Sequence, residues 1–134
     1  MGGKDVLQDA VFLEEKSASS SVHNYVGKLN LVQSAAVIKQ CRLFVGTDSG
    51  LMHLACAVGI PVIALFGPSN TQKWGPKGII DRIISEYVAC LPCTKFGYTV
   101  PTCRGSYHCM RDIQVPLLCS AVERQLLRKG KETS

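Results

Sequence analysis

At 134 residues the chain is long enough for one domain and too short for two of ordinary size. Its 46% hydrophobic and 19% charged residues are those of a packed globular protein and exclude a disordered one. The formal net charge of +5 is a modest basic excess. Much of it lies in Arg124, Arg128, Lys129 and Lys131. This reads as a solvated helix end whose cations suit the helix dipole, with an anionic partner as the alternative. No interleaving of aromatic and basic residues points to nucleic acid.

Met1-Gly2-Gly3-Lys4-Asp5 offers no apolar segment of the kind a signal peptide needs. No run approaches the roughly eighteen apolar residues of a membrane span. The expected location is therefore the cytoplasm. There, seven cysteines read as buried thiols or metal ligands rather than the disulfide framework of a secreted chain.

In chain order, Lys4 to Lys16 carries Val6, Leu7, Ala10, Val11, Phe12 and Leu13 near helical spacing. Ser17 to Ser21 is a polar joint. A second helix is predicted from about Leu31 to Gln40, with Leu31, Ala35 and Ile38 as its apolar face and Asn30 as its N-cap. The apolar run from Leu43 to Val45 predicts a buried strand. It is followed by the polar turn Gly46-Thr47-Asp48-Ser49-Gly50, a short helix through Val58, the stop Gly59-Ile60-Pro61, and a second buried strand from Val62 to Phe66. This is a β-α-β unit. Its polar turn lies at the carboxyl end of the first strand, the edge where open α/β sheets bind ligands. Thr71 to Gly78 is a loop holding Trp74, which is expected to anchor it by packing, with shielding of a ligand as the alternative. Ile79 to Ser85 has the β-branched content of a third strand. The last helix starts near Pro116 and aligns Val115, Leu118, Cys119, Val122 and Leu126. The tail beyond Gly130 is expected to fray.

Helix N-termini leave backbone N–H groups unpaired and carry partial positive charge, so they attract anions. Ser49 and Gly50 are small enough for a ligand to approach the backbone. His53, in the first helical turn, can donate to a phosphate oxygen. Asp48 repels phosphate, so its roles are capping or accepting bonds from sugar hydroxyls. The plainer alternative is that Asp48 and Ser49 only cap the helix and His53 is a surface residue. Leu51, Leu54, Ala55 and Val58 fall on the face that packs against the sheet.

Residues 90–109 form a cysteine-rich loop in which Cys90, Cys93, Cys103 and Cys109 give a C-x2-C-x9-C-x5-C pattern. Structural zinc, disulfides and free thiols are all open for these four, with His108 as a substitute ligand. Cys41, Cys56 and Cys119 read as small core residues.

Several segments together resemble glycosyltransferase family nine, the ADP-heptose:lipopolysaccharide heptosyltransferases. They are Gly27-Lys28-Leu29-Asn30-Leu31, Thr47 to Ala55, Gly59 to Pro68, Trp74-Gly75-Pro76, Cys90-Leu91-Pro92-Cys93, Cys103, and Cys109 to Ile113. The resemblance implies an α/β fold: a partial Rossmann-like donor-binding domain of a GT-B glycosyltransferase, with three to four parallel strands flanked by helices. It also implies that Asp48, Ser49, Gly50, Leu51 and His53 hold the diphosphate and sugar of an ADP-sugar donor, with Lys28 a weaker member. The transfer it implies is inverting and requires no cofactor, structural zinc in the cysteine loop aside. The acceptor is the lipopolysaccharide core, and the location is the cytoplasm or the cytoplasmic face of the inner membrane.

A full member of that family is more than twice this length. Residues 1–134 are therefore expected to form a single, truncated, C-terminal nucleotide-sugar-binding domain. The acceptor domain and its carboxylate base are expected to be missing, since Asp5, Asp9, Glu14 and Glu15 match nothing catalytic. Alone, the chain is expected not to transfer sugar. It would instead expose a sheet edge for self-association or for an acceptor-binding partner. A non-catalytic binding or assembly module and an inactive remnant are the alternatives.

Overall fold

The computed structural model describes residues 6–17, 22–78, 80–95, 98–99, 103 and 106–128. Gly2 to Asp5, Ala18 to Ser21, Ile79 and the tail beyond Arg128 lie outside them, with the expectations placed there.

Helix α1 (Leu7–Lys16) is followed by α2 (Leu31–Lys39). Asn30 starts α2 with a complete capping box: its side chain accepts from the Gln33 N–H, and the Gln33 side chain accepts from the Asn30 N–H, both at 2.9 Å. The face that α2 buries differs from the expected one. Ser34 and Ile38 are buried, whereas Leu31 and Val32 are 69% and 77% exposed. Ile38, near the end of α2, is the position that joins the core cluster with Met52 and Ala55 of α3.

The β-α-β unit folds as the periodicity predicts. Strand β1 (Phe44–Thr47), helix α3 (Gly50–Ala57) and strand β2 (Val62–Phe66) are followed by the four-residue helix α4 (Thr71–Trp74) and strand β3 (Arg82–Ser85). The three strands form a parallel sheet in the order β1-β2-β3. Central β2 is buried along most of its length, as a strand flanked on both sides must be. β1 alternates between half-buried and exposed residues, because among the described residues it pairs on one side only. The expectation of a fully buried first strand is corrected accordingly.

The core lies between the sheet and the helices α2 and α3: Ile38, Met52, Ala55, Ile60, Val62, Ala64 and Phe66. Fully burying each of the larger of these side chains contributes about 1.5–3 kcal/mol. Met52, absent from the predicted packing face of α3, is completely buried. Gly59 ends α3 with φ +79, a conformation that a side chain would strain.

β3 begins three residues later than predicted. Asp81 supplies the reason. Its Oδ1 accepts from the Val62 N–H at 3.0 Å and its Oδ2 from the Gly78 N–H at 2.9 Å, so the carboxylate ties the entry of β3 to the first residue of β2.

The cysteine loop is more ordered than its sequence suggested. It holds the antiparallel pair β4 (Thr94–Lys95) and β5 (Tyr98–Thr99), then the short helix α5 (His108–Arg111). The chain continues in α6 (Val115–Arg128), anchored where Gln125 Nε2 donates to the Ile80 carbonyl at 2.9 Å and Arg42 donates to the Leu126 carbonyl at 2.9 Å. Gln125 is the buried residue of α6, while Val115 and Cys119 of the predicted stripe are exposed. Cys41 is exposed and Cys56 half-buried, so the cysteine in the core is Cys109.

Candidate functional site

β1 ends at Thr47, and the next two residues carry the chain over the carboxyl edge of the sheet into α3. Ser49 takes the N-cap position with extended backbone, φ −152 and ψ 166, but its side chain makes no capping hydrogen bond. Its carbonyl accepts from the Met52 and His53 N–H groups at 3.1 and 3.3 Å, which starts the helix. Among the described residues, the amides of Ser49, Gly50 and Leu51 donate to no backbone carbonyl. The mouth of α3 therefore presents open N–H groups at the positive end of the helix dipole.

Gly50 adds a second property. A Cβ placed on it would meet nothing within 4 Å, and its φ is not in the left-handed region. Neither backbone conformation nor crowding requires glycine here, and the position a Cβ would take beside this helix start is open.

His53 and Asp48 flank this opening. His53 Nε2 lies 3.7 Å from Asp48 Oδ1, with the imidazole half in solvent and the carboxylate more enclosed. The pair becomes an ion pair when the imidazole is protonated. Of the plainer alternative, the Ser49 side-chain cap is not formed, while His53 is a surface residue as that alternative has it. Lys28 sits in the exposed turn after Tyr25, and no described hydrogen bond or ion pair joins it to this opening.

The neighbour that sequence reasoning undervalued is Trp74. Packing was expected to anchor it, yet it is 40% exposed. Its ring meets the His53 imidazole edge-on, with centroids 6.2 Å apart and planes at 67°. The two residues come from successive strand-to-helix connections, after β1 and after β2, which return to the same edge of a parallel sheet. That topology was the available signal.

The four loop cysteines form no disulfide with one another. Cys93 Sγ donates to the Cys90 carbonyl at 3.5 Å, and the Tyr107 N–H donates to Cys103 Sγ at 3.2 Å. The Cys93 N–H donates to the Pro68 carbonyl at 2.9 Å, which ties the loop to the end of β2. Burial pushes the Cys93 thiol up, helped by its hydrogen bond with Cys90 and by the nearby Cys90, Cys103 and Cys109. Burial likewise raises Cys109, with Cys103 and Cys90 adding to it. Among the described residues, no three His, Cys, Asp or Glu side chains are arranged to hold a metal ion. Nor is any described helix long and apolar enough to cross a membrane.

Comparison with known proteins places these features in a family context. A family model described as glycosyltransferase family 9 (heptosyltransferase) matches residues 3–102. Lipooligosaccharide heptosyltransferase 2 of Haemophilus influenzae is 45% identical over 64 residues, which is 46% of this chain and 18% of that protein. The crystal structure of a family 9 glycosyl transferase from Veillonella parvula superposes with a TM-score of 0.73 at 27% identity, covering 95% of this chain and 35% of that one. The Escherichia coli ADP-heptose LPS heptosyltransferase II shares the fold, with a TM-score of 0.74 at 23% identity over 96% of this chain and 36% of that one. The chain thus spans about a third of the solved structures it resembles.

Proposed function

The chain belongs to glycosyltransferase family 9, the heptosyltransferases, and on that premise we propose that it holds the nucleotide-sugar donor for a heptosyl transfer in lipopolysaccharide core synthesis. The donor is of the ADP-heptose type. Its diphosphate rests on the amides of Ser49, Gly50 and Leu51, and His53 donates to a phosphate oxygen. Asp48 accepts from hydroxyls of the sugar. When the bond between sugar and diphosphate breaks, negative charge grows on the departing ADP. Fixed N–H donors offset that charge without reorganising.

One observation carries the reading: unpaired amides beneath an unfilled space at Gly50, with His53 and Asp48 beside them, inside the segment that the family model matches. Residues 1–134 act in this reading as one C-terminal donor-binding unit. Transfer then requires an acceptor-binding part and a carboxylate base, which we assign to the length of the relatives that has no counterpart here. The cytoplasm, where nucleotide sugars are made, is the assigned location.

A second reading has its own support. Leu7, Val11, Phe12 and Leu13 of α1 are exposed, as are Leu31 and Val32 of α2, and β1 has an unpaired edge among the described strands. Such a surface suits a nucleotide-sugar-binding module that docks a separate acceptor-binding chain or a second copy of itself. Sedimentation of the purified chain separates the two: a monomer at micromolar concentration removes self-association.

The donor reading is tested by calorimetric titration with ADP. His53→Ala should weaken binding by about tenfold or more, as loss of a hydrogen bond to a charged group does. Ser49→Ala should change it little, because the backbone and not the hydroxyl makes the contact. The reverse order of effects would remove the assigned roles.

A further inference from the structure

Trp74 is the only tryptophan of the chain, and the fold leaves it 40% exposed while Phe66 is wholly buried. Its backbone, by contrast, is held firmly. The Trp74 N–H donates to the Asn70 carbonyl at 2.9 Å, and Asn70 caps α4 by accepting from the Lys73 N–H at 3.0 Å. The Gly75 N–H then closes the turn on the Thr71 carbonyl at 2.8 Å. A pinned backbone thus carries a large apolar plate into solvent at the ligand-binding edge of the sheet. Its aromatic neighbour is the His53 imidazole, met edge-on at 6.2 Å, and its cationic neighbour is the Lys73 ammonium, 4.8 Å above the ring.

We propose that the exposed part of the Trp74 ring is the wall against which the sugar of the donor rests, which makes the segment after β2 a specificity element of the site. This deepens the donor reading given above and rests on it. A sugar ring presents C–H bonds on its faces and hydroxyls around its rim. It therefore needs an apolar plate together with hydrogen-bond acceptors, the composition of ligand pockets that orient their contents. Trp74 and Asp48 supply those two elements around one imidazole, since His53 neighbours both. Lys73 adds a cation–π contact, its ammonium lying 4.8 Å from the ring centre. The nucleobase lies at the other end of the diphosphate from the group that Asp48 reads.

Calorimetry with two probes, ADP and ADP-glucose, tests this on the wild-type chain, Trp74→Phe and Trp74→Ala, each checked for folding by circular dichroism. Trp74→Ala should weaken ADP-glucose by about fivefold to tenfold and leave ADP within about twofold. Trp74→Phe should keep most of the ADP-glucose affinity, and indole fluorescence of the wild type should respond to ADP-glucose more than to ADP. Equal weakening of both probes would overturn the sugar assignment in favour of a contact with the nucleotide. Unchanged binding of both would overturn any role in the site. Should Trp74→Ala fail to fold, an equal response of the wild-type indole fluorescence to ADP and to ADP-glucose would overturn the proposal as well. A wild-type chain that binds neither probe removes the donor reading itself, and this inference with it.

Discussion

His53 Nε2 lies 3.7 Å from Asp48 Oδ1 at the mouth of α3, so an acceptor-only carboxylate and a ring donor share one opening. The two side chains are suited to opposite ends of a diphosphate sugar. Replacing Asp48 by Asn removes a negative charge from beside the phosphates and weakens acceptance from hydroxyls. ADP affinity of Asp48→Asn should hold or rise by up to about threefold, as expected for one partly exposed charge. ADP-glucose affinity should fall by about tenfold. Parallel loss of both, measured by calorimetry, would show that Asp48 acts only by holding His53.

Asp81 predicts a large structural effect away from the site. Its two carboxylate oxygens hold the first N–H of β2 and the N–H of Gly78, so Asp81→Ala leaves two donors without their charged acceptor. Urea unfolding of Asp81→Ala should show a loss of about 2–4 kcal/mol. A loss below about 0.5 kcal/mol would mean that solvent replaces the carboxylate at both amides.

Much of the fold was legible because its signals are local. Apolar runs flanked by Gly and Pro marked β1, α3 and β2, and the Asn30 side chain announced the start of α2. The misses share one cause, contacts between residues far apart in sequence. The late start of β3 comes from Asp81, whose partners include Val62, 19 residues away. Met52 lies off the face predicted to pack, but the arrangement of α2 over α3 buries it. Cys119 had the right spacing for a core face, yet α6 turns Gln125 inward to reach the Ile80 carbonyl. At the site, the turn from Asp48 to His53 was readable from residue size and helix polarity. Trp74 was not, because its neighbour His53 lies 21 residues away and only the parallel crossover brings them together.

The thiols should react in an order set by exposure. Cys41, Cys90 and Cys119 are exposed and should be modified first by an aromatic disulfide reagent, with buried Cys109 last. Zinc held by the loop would change this pattern: Cys90, Cys93, Cys103 and Cys109 would be protected together and released together by a chelator. Metal analysis of the same sample separates the two results.

Alkaline pH gives a further check on these groups. Burial raises Cys109 and Cys93 above the ordinary thiol range of about 8.5, and burial followed by the Asp81 charge raises Cys56. The unfolded chain therefore loses these protons at lower pH than the folded one. The associated stability is complete below about pH 8.5 and declines as pH rises through the higher folded values. The urea midpoint should fall more steeply above pH 8.5 in the wild type than in Cys109→Ala compared with its own neutral value. Identical slopes would remove Cys109 from the explanation.

The claim that the α3 opening is reserved for a diphosphate is tested most directly at Gly50, where an added methyl meets no protein atom within 4 Å. The measurement is ADP titration of the wild type and Gly50→Ala, with thermal unfolding of both. The prediction is an unchanged or slightly raised melting temperature, since Ala is favoured over Gly in a helix, together with ADP affinity lowered by about tenfold or more through blocked access to the amides. Equal ADP affinity in the two proteins, or no binding by the wild type at millimolar ADP, would contradict it.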